Sequence, residues 1–422
     1  MANSTIRPSP SAPTASTHDA LIVGGGLVGL TLAIALAAHD MRVAIIERAD
    51  PDQHLTPGFD GRVSAIASSA ARMFRALDMG ATLDDHACAI GAIRVAEGLS
   101  PRLLHFAASD NPDAEPLGFM LENRTLRQQL LQKLRMTAGI DFFAPAHIAT
   151  VERGDNHASI TLADGRILQA PVILACDGRG SALRRQAEIP LAQWEYDGTA
   201  IVSMFAHEKP HGNIASELFY AAGPFAQLPM RDLEDGRHRS ALVWTVRRNA
   251  APAMLALSPR AFAAEVQAAM GGALGEAEMI APLQGFPLGL QHARRYWAKR
   301  LILVGDAAHG IHPVAGQGLN LGLRDIAALA EVLSGALRLG LDIGHPDVAR
   351  RYERWRRTDN FTTAFATDAL VRLFAIPGRP ARLVRSAGLA AVNRLPFLRR
   401  GFMAIARGES GDRPPLLRGE IG

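Results

Sequence analysis

The stretch that most constrains this chain is residues 20–48, which reads strand, glycine turn, helix, strand, acid. Leu21, Ile22 and Val23 form a short apolar run suited to a buried parallel strand. Gly24, Gly26 and Gly29 follow with G-x-G-x-x-G spacing. The first permits a tight turn, the second lets backbone approach a pyrophosphate, and the third lets the helix pack on the strand. Leu27 and Val28 belong to the same turn, and residues 31–38 continue as helix, whose free N–H groups point at the phosphates. Residues 42–46 give the second strand. Glu47, beside Arg48, falls 18 residues after Gly29, a position from which a carboxylate accepts hydrogen bonds from a ribose and repels a 2′-phosphate.

Two blander readings of this stretch fail. Residues 20–38 form a 19-residue uncharged window, long enough to cross a membrane or to serve as a signal core. Three consecutive glycines interrupt it, and His18 and Asp19 precede it in place of a positive cluster.

At 422 residues the chain has room for two or three domains or for one core with an insertion. Cys88 and Cys176 are the only cysteines, which implies no disulfide framework and fits a reducing cytoplasm. Residues 1–17, rich in Ser, Thr, Pro and Ala, read as a disordered leader. Residues 372–422 carry ten Arg and three acids, a net +7 within a chain of +4, so the preceding 371 residues sum to −3. No aromatic interleaving or recognisable module supports nucleic-acid binding. Arg-flanked apolar segments such as ARLVRSAGLAAVNRLPFLRRGFMAIAR suit a membrane surface or a partner groove, or an ordinary solvated helical tail.

Along the chain, Arg62 follows a Pro/Gly loop at residues 51–61, and Arg124 opens a helix carrying Leu126, Leu130, Leu131 and Leu134. Residues 142–178 alternate as an antiparallel meander turning at Asp164-Gly165 and end in an apolar strand at 172–175. CDGRGSALRR follows, placing Asp177, Ser181 and Arg184 at a strand end where ligands of such sheets bind. Strand-like runs between 194 and 290 form an antiparallel layer able to cover a cleft. Within it, His207-Glu208-Lys209-Pro210-His211 matches H-E-x-x-H by letter, but Pro210 breaks the helix that a zinc site requires. Residues 301–304 return to parallel-strand composition and lead into Asp306, suited to a ribityl hydroxyl, and a Pro/Gly loop entering a helix near Gly318.

These segments together, with FDGRVSAIASSA, LGFMLENRTLRQQL, ELFYAAGPFAQLPM, SALVWT, RRYWAKRLILVGDAAHGIHPVAGQGLNLGLRD and YERWRRTDN, resemble the flavoprotein aromatic monooxygenases over roughly residues 18–400. The branch they resemble is the ubiquinone-biosynthesis hydroxylases of UbiH/UbiF/VisC type. The resemblance implies an α/β fold: a Rossmann-like FAD-binding domain (18–75, 106–185 and 286–345), an inserted antiparallel-sheet substrate domain (76–105 and 186–285) and C-terminal helices with a basic tail (346–422). It implies that Gly24, Gly26, Leu27, Val28, Gly29, Glu47, Arg48, Arg62, Arg124, Asp177 and Asp306 bind FAD. It also implies that Pro313, Val314, Ala315, Gly316, Gly318, Leu319 and Asn320 face the flavin ring.

The activity implied is hydroxylation of a polyprenyl-phenol ring through a C4a-hydroperoxyflavin, with NAD(P)H or another reductant as donor, O2 as co-substrate and no metal. The implied location is cytoplasmic, peripheral on the inner membrane face, with the basic C-terminus meeting the membrane or other ubiquinone-biosynthesis proteins. Two alternatives stand beside it: hydroxylation of a small soluble aromatic acid, and a non-catalytic FAD-binding subunit of a biosynthetic complex. A flavin halogenase would show Trp-x-Trp, which Trp194-Glu195-Tyr196 does not supply.

Overall fold

Four short aliphatic runs with no polar side chain can be satisfied only inside a sheet covered on both faces. Ala20–Val23, Val43–Ile46, Val172–Ala175 and Leu301–Leu303 are such runs, and all of their residues are buried. The computed structural model describes residues 16–55, 62–101, 103–111, 113–310, 317–376, 392 and 394–422. In it the four runs lie side by side in a six-stranded sheet ordered Trp297–Ala298, Leu301–Leu303, Val172–Ala175, Ala20–Val23, Val43–Ile46, Ile140–Phe143. Every pairing is parallel except that of the edge strand Trp297–Ala298. Helix Leu27–Ala37 crosses back over this sheet and packs between helices Gln317–Arg338 and Asn123–Met136. Leu30, Leu32, Ile34 and Leu36 of the first helix are all buried. Burying nearly every side chain of one helix in this way fixes its position against the sheet.

A second sheet has a different logic. Its order is His309–Gly310, Gln284–Ala293, Leu191–His207, His238–Arg247, Gly223–Met230, Ile214–Tyr220, Ala92–Glu97, Leu103–Ala107, with Ala277–Met279 added beside Leu191–His207. Its pairings are antiparallel except where Ile214–Tyr220 runs parallel to Ala92–Glu97. One strand pair from before residue 110 therefore completes a sheet whose other strands come after residue 190.

Two expectations need correction here. The meander begins later than 142: Phe142 and Phe143 belong to the parallel sheet's edge, while Ile148–Arg153, Ala158–Leu162 and Ile167–Ala170 form the antiparallel unit. The leader is shorter than 17 residues, since Ser16 and Thr17 pair in parallel with Leu168 and Gln169. Residues 1–15 lie outside those described.

The basic tail is less free than its charge suggests. Helix Pro396–Ala406 ends at Arg407, which is 2% exposed and ion-paired to Asp113 (2.6 Å) and Glu409 (3.1 Å). Hydrogen bonds from Arg407 hold the Asp113 carboxyl down at about 2. Arg399 pairs with Asp110 (2.6 Å), and Leu416 and Leu417 are buried beside helix Ser68–Ala76. Two of the ten arginines counted in the sequence thus dock the tail on the body. Among the described residues, no helix is long and apolar enough to cross a membrane.

Candidate functional site: a cavity between the two sheets

The glycine turn sits where the strand Ala20–Val23 ends and the helix Leu27–Ala37 starts. Gly24 has φ +108°, and a Cβ there would stand 2.4 Å from the Cys176 carbonyl oxygen of the neighbouring strand end. A Cβ on Gly29 would stand 1.9 Å from the Gly24 carbonyl oxygen, so the helix can approach its strand only with glycine at that point. Gly26 is different: nothing lies within 4 Å of where its Cβ would be. It lines a cavity of about 660 Å³, together with Leu27 and Val28 at the helix start, whose N–H groups lack helical partners. A cradle that closes against protein at two glycines and opens into a cavity at the third has the form that a pyrophosphate needs. FAD fits these residues on that ground.

Charge is supplied from helix Asn123–Met136, though not by the residue the motif suggested. Arg124 turns away and donates to the Leu55 carbonyl (3.3 Å). Arg127, one turn on, lines the cavity and donates to the Gly25 carbonyl (3.0 Å), which puts a guanidinium at the glycine turn. The i, i+3 spacing in Arg124-Thr125-Leu126-Arg127 was the available signal. Arg62 lines the same cavity. Arg48 is exposed and does not line it. Glu47 lies against the underside of the turn: one oxygen accepts from the Gly25 N–H (2.6 Å) and the other from the Ala49 N–H (2.7 Å). Its carboxylate keeps lone pairs for further donors, but its position is set by backbone.

The loop after Val172–Ala175 serves mainly to brace the site. Asp177 accepts from the N–H groups of Ala182 (2.8 Å) and Leu183 (3.3 Å), Ser181 accepts from the Arg184 N–H (3.0 Å), and the short helix Ala182–Gln186 is thereby capped. Its neighbours Cys176 and Gly178, not Asp177 itself, line the cavity. The other Asp177 oxygen is buried with no hydrogen-bond partner among the described residues. Arg184, expected near a cofactor, is buried and clamps the backbone, donating to Ala307 (2.8 Å) and Arg179 (2.9 Å). Burial pushes the Cys176 thiol up, so it is a wall and not a nucleophile.

Asp306 is exposed to the cavity, and desolvation by the protein packed around it pushes its carboxyl up. Beneath its turn lies a network that the motif did not announce. Asp325 is fully buried and accepts from the Gly305 N–H (3.1 Å), His309 Nε2 (2.5 Å), Arg356 Nε (2.8 Å) and Asn360 Nδ2 (3.1 Å). Burial would push the Asp325 carboxyl up, but His309 and Arg356 outweigh it and hold it far below the usual range. Gln291 donates to the Asp306 carbonyl (3.0 Å), tying the turn to the antiparallel sheet.

Gly318 and Leu319 line the cavity at the start of helix Gln317–Arg338. Asn320 points elsewhere: its amide accepts from the Ala67 N–H (2.9 Å) and donates to the Ala65 carbonyl (2.8 Å), gripping the strand Val63–Ala67 as a peptide would. Pro313, Val314, Ala315 and Gly316 lie outside the described residues. The H-E-x-x-H letters do not form a helix. His207 ends a strand and is held by the Lys209 carbonyl (2.8 Å) and Ser240 Oγ (2.9 Å), while His211 is held by the Met230 carbonyl (2.9 Å).

The far wall of the cavity is the antiparallel sheet, contributing Ile93, Val95, Ala200, Val202, Ala215, Glu217, Phe219, Pro224, Ala226, Leu228, Val243, Thr245 and Phe286. Alternation puts these side chains on one face from six strands. No single segment of the sequence carries them, so no motif could.

Residues 17–357 match the FAD binding domain family. The chain is 44% identical over 419 residues to a ubiquinone hydroxylase (UbiL) of Rhodospirillum rubrum, covering 98% of this chain and 96% of that one. It is 31% identical over 391 residues to a 3-demethoxyubiquinol 3-hydroxylase of Escherichia coli, covering 92% and 97%. Among solved structures, PqsL of Pseudomonas aeruginosa in complex with 2-aminobenzoylacetate superposes with a TM-score of 0.74 at 24% identity, covering 89% of this chain and 99% of that one, a likeness of fold. A glycine cradle that fits a flavin dinucleotide, in a chain of which these two hydroxylases match 98% and 92%, leaves one conclusion: the chain belongs to the FAD-dependent monooxygenase family, among the ubiquinone-biosynthesis hydroxylases.

Proposed function

We propose that this protein hydroxylates the aromatic ring of a polyprenyl-phenol intermediate of ubiquinone biosynthesis. The observation that carries the reading is that one cavity joins the cofactor cradle to the apolar sheet. Gly26, the helix start and Arg127 would hold the pyrophosphate, and Asp306, Gly318 and Leu319 the part of the cofactor nearer the sheet. Bound FAD, reduced by NAD(P)H or another donor, supplies the activation of O2. The chain's own residues orient the ring, exclude water and fix the charges around it. The strands of residues 92–107 and 191–293 act as the substrate lobe and the parallel sheet with its helices as the FAD lobe.

The alternative of a small aromatic acid is disfavoured by the wall. Among its described residues the sheet offers no Arg or Lys to a substrate carboxylate and instead presents Glu217. An apolar tail suits such a wall, at roughly 25 cal/mol per Å² of apolar surface removed from water. The same tail explains an enzyme that meets the bilayer without spanning it. Phe397 (63% exposed), Phe402 and Ile405, with exposed Arg400 on the same helix, would touch the membrane surface.

The test is a mass-spectrometric quinone profile of cells lacking the gene. The expected result is loss of ubiquinone with accumulation of a polyprenyl phenol one oxygen short, whose identity names the ring carbon. An unchanged ubiquinone pool in cells with no second hydroxylase of this family would overturn the reading.

A further inference from the structure

Glu217 is the one charged residue that the sheet presents to the cavity among the described residues. It lies mid-strand in Ile214–Tyr220, where an apolar residue would be expected from its neighbours Ala215 and Phe219. Across the ladder it faces Val95 on one side and Ala226 on the other, and Ala226 in turn faces Val243. Its carboxylate thus stands in a row of aliphatic side chains. No hydrogen bond or ion pair to another described residue engages it. On the adjoining strand Arg94 alternates to the opposite face, and Glu97 lies two residues past Val95. Arg62, Arg127 and Asp306 line the cavity from its other side.

A carboxylate placed in apolar surroundings without a partner is costly unless something in the bound state satisfies it. Burial pushes the Glu217 carboxyl up to about 7, which leaves it able to hold or release a proton near neutrality. We propose that Glu217 is a catalytic residue that receives the ring hydroxyl of the substrate. It accepts the phenol's hydrogen bond and takes its proton as the ring is oxidised. In that step the phenol O–H bond breaks, an Oε–H bond forms on Glu217, and the electron pair stays on the phenolate oxygen, where it feeds the ring carbons ortho and para to it. The proton returns when the product phenol forms. The inference rests on the proposed phenol substrate and adds to it the group that reads the hydroxyl.

The experiment compares binding of 2-geranylphenol and its methyl ether, 2-geranylanisole, to the full-length, FAD-loaded protein, followed by the change in flavin absorbance. The wild type is expected to prefer the phenol by about 10- to 100-fold, the span of a hydrogen bond to a charged group. Glu217→Gln is expected to lose most of that preference while holding FAD at the same stoichiometry, and to lower kcat/KM on the phenol by about 100-fold. A structural role for Glu217 would not distinguish a hydroxyl from a methoxy group. Equal wild-type affinity for the two probes overturns the assignment of Glu217, as does a variant that keeps the preference. A wild type that binds neither overturns the substrate reading beneath it.

Discussion

The two ends of the cavity are built in opposite ways. At the cofactor end, the cradle itself sits within six positions and acts through backbone: Gly24, Gly26 and Gly29 shape a turn and the helix start offers N–H groups, with the Arg127 guanidinium added from a neighbouring helix. At the sheet end the wall is drawn one to three residues at a time from six strands spread over residues 93–286, and among the described residues it acts through side-chain shape and one carboxylate. A site that holds an invariant cofactor can be a contiguous motif. A site that selects a substrate is assembled by topology, which leaves each strand free to vary.

The largest effects should come from the glycines, and they should separate two roles. Gly29→Ala forces a methyl group into the Gly24 carbonyl at 1.9 Å, so the helix must move off its strand. The expected outcome is little folded protein and no bound flavin. Gly26→Ala meets no protein atom within 4 Å and should fold with its melting temperature nearly unchanged in the FAD-free form, while losing FAD because the methyl group enters the cavity. Equal melting behaviour of the two FAD-free variants would show that the cradle is not divided in this way.

Next in size is Asp325→Ala, which leaves Arg356 and His309 buried without their shared acceptor. Breaking a buried pair from one side costs about 3–5 kcal/mol. An unfolding free energy, extrapolated from denaturant melts, lowered by less than a third of that would remove the network from its bracing role. Arg127→Ala touches the cofactor end alone and should weaken FAD binding by about 10- to 100-fold, where Arg124→Ala changes it by far less. Fluorescence titration of the FAD-free protein with FAD reads both, and equal losses would undo the assignment of the guanidinium to the second arginine.

The same contrast explains how much of the molecule is legible in its sequence. The parallel strands, the glycine turn and the antiparallel layer were legible because each is written in local composition and spacing. Asp325 stands within a motif that gives it no role, because its partners His309, Arg356 and Asn360 come from another loop and another helix. The resemblance puts Asn320 at the flavin ring and the sequence puts Arg184 at a ligand-binding strand end, because a motif shows which residues accompany a site and not which way they point. Both turn into the protein and clamp backbone. The tail's charge is countable but its partners are not, for a similar reason: Asp113 and Asp110, which pair with Arg407 and Arg399, lie almost 300 residues earlier.

The smallest effect, and the one most specific to the sheet end, is a gain. If Glu217 is kept for function against the preference of its surroundings, then removing its charge should stabilise the fold. Its folded-state carboxyl is raised to about 7, above the ordinary carboxylate range of the unfolded chain, so the folded protein prefers the protonated form. Ionisation of Glu217 therefore opposes folding: the penalty grows as the pH rises from the unfolded value through about 7 and is complete above it. Glu217→Gln, which mimics the protonated form without the charge, should be more stable than the wild type by about 1–3 kcal/mol at mildly alkaline pH. The advantage should shrink steadily as the pH falls toward the carboxylate range. Melting curves of both proteins across that window measure it. A variant that is less stable than the wild type at every pH would mean that the carboxylate has a partner in the folded protein, and the wall would then be an ordinary core face with its charge already satisfied. A pH-dependent gain in stability, paired with the loss of phenol preference, would mark Glu217 as a residue whose cost to the fold is offset only when substrate is bound.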